Sequence, residues 1–353
     1  MKLFEDKIRN DNSIAKLGEN VYMFYDTNSQ PKIENLRNLL NDWFDNYPEE
    51  YKNDLLNNFK NNFYDFFYEL FIHELFYKLG YTLIPHPLLP NTEKKPDFLA
   101  IKENEKFYIE ATTVSYLSDI EQKKENFRDK FVEELNNINS PYFWIVLKNI
   151  NFKSDNFPKI KFLKSNIENS IAKINYENFS NDRNNLFSQE EIKIEDQNIS
   201  IVLSLIKKSN NAINNKSNRP IGIQFQDITI KDASEDSEKI FKNLKQKASR
   251  YGELDLPLLV CLNLDFRYNI KYDVDFAFYN KNFIYSINPK LTKLSATLIN
   301  NVSLGNIFNS QQHRIIINPH SLNKISIENL QLTYELNEKV INKKSIEEVL
   351  NLN

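Results

Sequence analysis

The sequence predicts an α/β or α+β fold, a layered core of alternating strands and helices that carries an N-terminal helical arm. Three observations support this. Apolar residues recur at helical spacing between 32 and 79, and short strand-like runs then alternate with helical stretches as far as 263. The chain has 353 residues, 41% of them hydrophobic, enough to bury a sizeable core.

In the arm, Leu36, Leu39, Leu40 and Trp43 share a helix face, and Pro48 breaks the run. A second helix is expected over about 51–79, ended by Gly80, which accepts the left-handed closing conformation cheaply. A strand at 81–84 and a loop at 85–96 follow. Runs 97–101 and 107–114, joined by the polar turn 102–106, read as a β-hairpin. Next come a charged helix (119–136), a continuous apolar run typical of a fully buried strand (142–149) and a helix (159–173). The Asn- and Ser-rich stretch 175–189 reads as a surface loop. Strands are expected at 200–207 and 221–225, then a helix at 234–251 and a buried strand at 256–263. The region 283–353 mixes short strands and turns and ends in a short helix at 345–352. The layout is an arm (1–80), an α/β core (81–290) and a mixed C-terminal extension packed on the core (291–353).

Composition excludes several functions. Five glycines, none close enough for a dinucleotide-binding or P-loop spacing, argue against those nucleotide sites. With no Gly-x-Ser-x-Gly elbow and four histidines, a serine hydrolase is not expected. One cysteine, Cys261, rules out a disulfide framework and fits a reducing compartment. Neither a leader-like start nor a run of about 18–20 apolar residues is seen, so a soluble, cytoplasmic protein without a membrane partner is expected. A net charge of −3 gives no global basic footprint, so any nucleic-acid contact must come from local patches.

Three acids stand out. The stretch 63–79 is apolar on most of its circumference, yet carries Glu69 and His73 one turn apart. Glu74 and Lys78 form a second i,i+4 pair that reads as a solvated stripe. A carboxylate in a buried helix needs a partner or a metal, and for Glu69 that partner is His73, a nearby lysine or an ion. Asp97 opens one hairpin strand and Glu110 lies within the other, with Thr112 on the same face. Together they make an oxygen-rich set suited to Mg²⁺ or Mn²⁺.

The helix Glu69, Pro96-Asp97 opening a strand and Glu110 in a second strand resemble the PD-(D/E)XK nuclease superfamily, whose signature is a helix Glu, a Pro-Asp opening a strand and a second strand with Glu-x-Lys. The chain further resembles a group of largely uncharacterised bacterial proteins of that fold through residues 69–81, 86–99, 107–112, 219–223, 247–263 and 317–320. The resemblance runs from about residue 22 to near the C-terminus and so implies one continuous unit. It implies a restriction-endonuclease-like central mixed sheet flanked by helices. It also implies Mg²⁺-dependent hydrolysis of DNA, or of RNA, in phage defence or DNA maintenance. Asp97, Glu110 and the Ala111 carbonyl would hold the ion, with Glu69 holding a second ion or its water.

The sequence departs from the motif at Thr112, which stands where the superfamily has lysine. Lys94 or Lys95 beside Asp97, or Lys247 on the helix before the buried strand, could restore the cation; alternatively the ion alone activates water. His73 reads as an acid/base group tuning Glu69 or as a core histidine. His86 reads as a loop residue, and His313 and His320 have no role. The alternative readings are a catalytically degenerate nucleic-acid-binding protein, and a homo-oligomer or complex subunit docking through the helical arm.

Overall fold

Four helices precede the first strand: α1 (Val21–Thr27), α2 (Pro31–Asp45), α3 (Lys52–Asn61) and α4 (Phe63–Lys78). The Asn20 side chain caps α1, accepting from the Met23 N–H at 2.9 Å. The single helix expected over 51–79 is in fact two. Asn62 leaves the helical region at φ −141°, and its amide donates to Asp65 at 2.6 Å. The closure at Gly80 is as expected: at φ +87° its N–H reaches Tyr77 O (2.9 Å) while the Tyr81 N–H reaches Phe76 O (3.0 Å).

This computed structural model describes residues 1–115, 117–154, 156–179, 191–214, 219–223, 233–264, 270–279, 291–308, 313–326, 331–336 and 339–352. After α4 come β1 (Thr82–Pro85), β2 (Phe98–Lys102), β3 (Glu105–Val114), α5 (Asp119–Leu135), β4 (Phe143–Phe152) and α6 (Ile160–Ala172). Then follow β5 (Ile192–Glu195), β6 (Ile199–Lys207), α7 (Asn210–Asn214), β7 (Ile221–Ile223), α8 (Ala233–Ser249) and β8 (Leu258–Leu264). The chain ends with α9 (Ile270–Tyr279), β9 (Ala296–Asn300), β10 (His313–Ile317), β11 (Tyr334–Leu336), β12 (Lys339–Ile341) and α10 (Ile346–Leu350). Of the expected elements, parts of the 175–189 loop, the 221–225 strand and the 283–353 region lie outside the described residues. Among those residues no helix is long and apolar enough to cross a membrane.

The fold is mixed α/β, and the chain forms two compact units. One comprises Met1–Ile14, Asn20–Tyr116 and Lys231–Asn353, the other Ala15–Glu19 and Leu117–Ile230. The first holds an eight-stranded mixed sheet in the order β1-β2-β3-β8-β9-β10-β11-β12, in which β3, β8 and β9 run parallel. Side chains alternate across these strands, so each face has its own core. Phe107, Ile109, Leu259, Cys261 and Leu298 pack with α4 and its neighbours. Tyr108, Leu258, Val260 and Leu262 pack with Ile240 and Leu244 of α8 and with Val274 and Phe278 of α9.

The second unit is a four-stranded sheet, β5-β6-β4-β7, with α5 and α6 supplying apolar residues to one core. The fully buried strand expected at 142–149 is half-buried instead. In β4, Phe143, Ile145 and Leu147 are buried, but Trp144 and Val146 are only partly so, because the helices cover one face. The continuous burial expected of 256–263 does hold in β8.

Candidate active site

The hairpin positions two of the three acids. Its register pairs Phe98 with Ile109, and one step further places Asp97 opposite Glu110. Phe98 and Ile109 enter the core under α4, while Leu99 and Tyr108 face the α8 side. By the same alternation Asp97 and Glu110 share the α8 face, with Thr112 two residues further along it. Asp97 Oδ2 accepts from the Ala111 N–H at 2.6 Å, which locks its carboxylate to the partner strand. Of Ala111, expected to offer its carbonyl, the structure engages the N–H.

Glu110 has 1% of its side chain exposed, and its side-chain partners among the described residues lie around the C-terminal end of α8. Lys247 Nζ is 2.7 Å from Oε1, Arg250 Nη1 is 3.2 Å from the same oxygen, and the Tyr251 hydroxyl donates to Oε2. Tyr251 also reaches the Lys95 carbonyl at 3.3 Å, so it ties α8 to the loop that carries Asp97. Of the candidate replacements for the motif lysine, Lys247 is the one that reaches Glu110. Lys94 and Lys95 are exposed, and their ammonium groups make no ion pair among the described residues.

Glu69 comes from α4. Its Oε1 accepts from the Tyr47 hydroxyl at 3.0 Å. Burial, with the charge of Glu110 adding to it and the Tyr47 hydrogen bond opposing, raises its carboxyl to about 7. Asp97 is pushed well above the usual carboxylate range by burial, then by Glu110 and Glu69, against the opposing Ala111 hydrogen bond and Lys247. The charges of other acids thus add to the rise of Glu69 and of Asp97, although α4 packs on the opposite face of the sheet from α8. Tyr47 and Tyr251 are raised as well, chiefly by burial and next by Glu69 and Glu110 respectively.

His73 is not a partner of Glu69. Its ring packs among Tyr47 (centroids 4.6 Å apart), Phe98 (5.7 Å) and Tyr77 (6.2 Å). Its Nδ1 has no hydrogen-bond partner among the described residues, and burial lowers its pKa to about 3. Its surroundings are those of the core-histidine reading. Glu74 is likewise no solvated stripe. Its side chain is 1% exposed, both its oxygens accept from the Asn46 amide (3.2 and 3.0 Å), and Lys78 Nζ stands 3.5 Å away. His86 adopts φ +49° and donates its N–H to the Asp97 carbonyl at 2.9 Å, so it buttresses the site's loop.

Tyr47, Arg250 and Tyr251 join the site without being among the expected site residues. Lys247, Arg250 and Tyr251 are spaced i, i+3, i+4, which on a helix places all three on one side and could have marked them as a group. Tyr47 lies just before the break at Pro48 and gives no comparable signal.

The acids supply hard oxygen donors of the kind Mg²⁺ and Mn²⁺ prefer. Glu69 Oε2 and Asp97 Oδ1 accept nothing among the described residues, whereas both Glu110 oxygens are engaged. Among the described residues no group of three or more His, Cys, Asp and Glu side chains is arranged to hold a metal ion. The donor chemistry fits a divalent ion, but Glu110 would have to share its oxygens with Lys247, Arg250 and Tyr251. Comparison with known families, characterised proteins and solved structures finds no match to this chain.

Proposed function

We propose that the chain is a metal-dependent nuclease of the PD-(D/E)XK kind that hydrolyses phosphodiester bonds in DNA or RNA. The observation that supports it most is the pairing of Lys247 with Glu110 at 2.7 Å, on the sheet face that also carries Asp97. A site that lacks the motif lysine at Thr112 thereby regains a cation beside its second acid. Asp97 and Glu110, with Glu69, would hold Mg²⁺ or Mn²⁺, which when bound polarises the phosphate and lowers the pKa of bound water.

The chain's own groups do the rest. The Lys247 side chain, 20% exposed, holds its ammonium against Glu110, from where it would offset negative charge growing on the phosphate more strongly than a cation in water. Tyr251 and the Ala111 N–H hold Glu110 and Asp97 in fixed orientations, so little reorganisation is needed during reaction.

The test uses plasmid, linear duplex and single-stranded substrates with Mg²⁺ or Mn²⁺. Wild type cleaves, and Asp97→Ala and Glu110→Ala do not. Lys247→Gln is slower by roughly 10²–10³-fold, the usual scale for losing one preorganised charge. Equal rates in all four proteins would sink the assignment. A second reading, a degenerate nucleic-acid-binding module, draws on the full occupation of Glu110 by protein donors. Under it, nucleic acid is retained in EDTA, released by salt and never cut.

A further inference from the structure

Two cations converge on one atom. Lys247 Nζ and Arg250 Nη1 both address Glu110 Oε1, at 2.7 and 3.2 Å, while the Tyr251 hydroxyl holds Oε2. A single carboxylate is neutralised by one of them. The two differ in their remaining surroundings. The Lys247 side chain is 20% exposed, and its charge sits on the one nitrogen already against Glu110. The Arg250 side chain is 43% exposed, and among the described residues Glu110 is its only side-chain hydrogen-bond acceptor. Of its five guanidinium N–H groups, Nε, both of Nη2 and one of Nη1 find no protein acceptor there. The guanidinium lies 5.7 Å from the Tyr251 ring centroid, a contact that orients it without using its donors. Just past the end of α8, Arg250 thus presents a planar fork, the geometry that matches two oxygens of a phosphate.

We propose that Arg250 contacts the substrate, gripping the non-bridging oxygens of a phosphodiester at the mouth of the Glu110 site. It exchanges its Glu110 contact for the phosphate, while Lys247 and Tyr251 keep the carboxylate in place. This deepens the nuclease reading and rests on it for the identity of the anion.

The experiment compares wild type, Arg250→Gln, Arg250→Lys and a control, Lys339→Gln, an exposed lysine on β12. Labelled single-stranded and duplex oligonucleotides are titrated in EDTA over a salt series, and cleavage is read with Mn²⁺. Arg250→Gln weakens binding about ten-fold or more for every sequence and lowers the salt slope by about one. Arg250→Lys recovers part of the affinity but cleaves as poorly as Arg250→Gln, because the fork is lost. Lys339→Gln matches wild type, and melting curves establish that all four are folded. Wild-type affinity and cleavage in Arg250→Gln overturn the proposal, and if Asp97→Ala still abolishes cleavage in the same assay the nuclease reading survives. Should wild type neither bind nor cut any substrate, both fall.

Discussion

Glu110 shows how a buried charge is made tolerable. With 1% of its side chain exposed it would be costly alone, and Lys247, Arg250 and Tyr251 share the compensation. Replacing Lys247 by Gln leaves Arg250 in reach, so the loss falls below that for a fully broken buried pair. Denaturant unfolding is expected to show a decrease of about 1–2 kcal/mol. A change within error would mean that Lys247 contributes no net stabilisation. Glu69 and His73 oppose each other in pH dependence. The Glu69 carboxyl rises from 4.5 to about 7 on folding, so the folded state binds more protons and stability falls as pH rises through that window. The His73 pKa falls from 6.5 to about 3, so the unfolded state binds more protons and stability is lost as pH falls through that range. In metal-free protein, Glu69→Gln should therefore make the pH slope of stability more positive than wild type's from about pH 4.5 to 6.5, with the falling contribution of the raised Asp97 still present. His73→Phe should make the dependence fall over the same interval. Parallel unfolding series at several pH values check both signs, and identical slopes in the two variants would refute them.

At the scale of elements, helix ends decide where the site's groups point. After α8 the chain turns through Gly252 at φ +72°, which leaves Arg250 and Tyr251 beside Glu110 and frees the chain to enter β8. An added Cβ at Gly252 meets nothing within 4 Å, so Gly252→Ala tests backbone conformation alone. A loss of about 1 kcal/mol is expected, the usual cost of a left-handed non-glycine residue. Gly305→Ala, at a glycine without that conformation, should be near neutral. Equal melting temperatures for the two variants would contradict the argument. The same local rules explain what was legible beforehand. The Gly80 closure, the hairpin and the helices near 119–136, 159–173 and 234–251 rest on caps, turns and periodicity within a few residues. The break at Asn62 was hidden because apolar residues continue at helical spacing on both sides of it. The short strand β5, with the sequence Ile-Lys-Ile-Glu, acquires meaning only from pairing with β6. In the site, the positions of Asp97 and Glu110 followed from strand alternation. Tyr47 beside Glu69 did not, because the two are 22 residues apart and meet only through packing. Glu74 differs from its expectation for the same reason: its solvated-looking spacing to Lys78 cannot reveal Asn46 over it.

At the scale of the whole molecule, the second unit contains its own hydrophobic core. Every buried member of that core lies between Phe131 and Leu205, drawn from α5, α6, β4, β5, β6 and the short connections beside α5. Residues 15–19 add the partly buried Leu17 side chain at the edge of this core, the Leu17 N–H to Glu133 at 3.2 Å and the Ala15 carbonyl, which accepts from Arg219 at 2.9 Å. Arg219 also pairs with Glu133 at 2.5 Å within the unit. A segment that supplies both its sheet and the helices covering that sheet meets the requirements for independent folding. Residues 117–230 expressed alone should therefore give a mixed α/β circular dichroism spectrum and one cooperative thermal transition. Leu203, fully buried on β6, provides the internal check. Leu203→Ala in the same fragment should lower its stability by roughly 2–5 kcal/mol, enough to move the transition markedly or abolish it. A broad, non-cooperative melt that the substitution leaves unchanged would show that the core is not assembled by this segment alone.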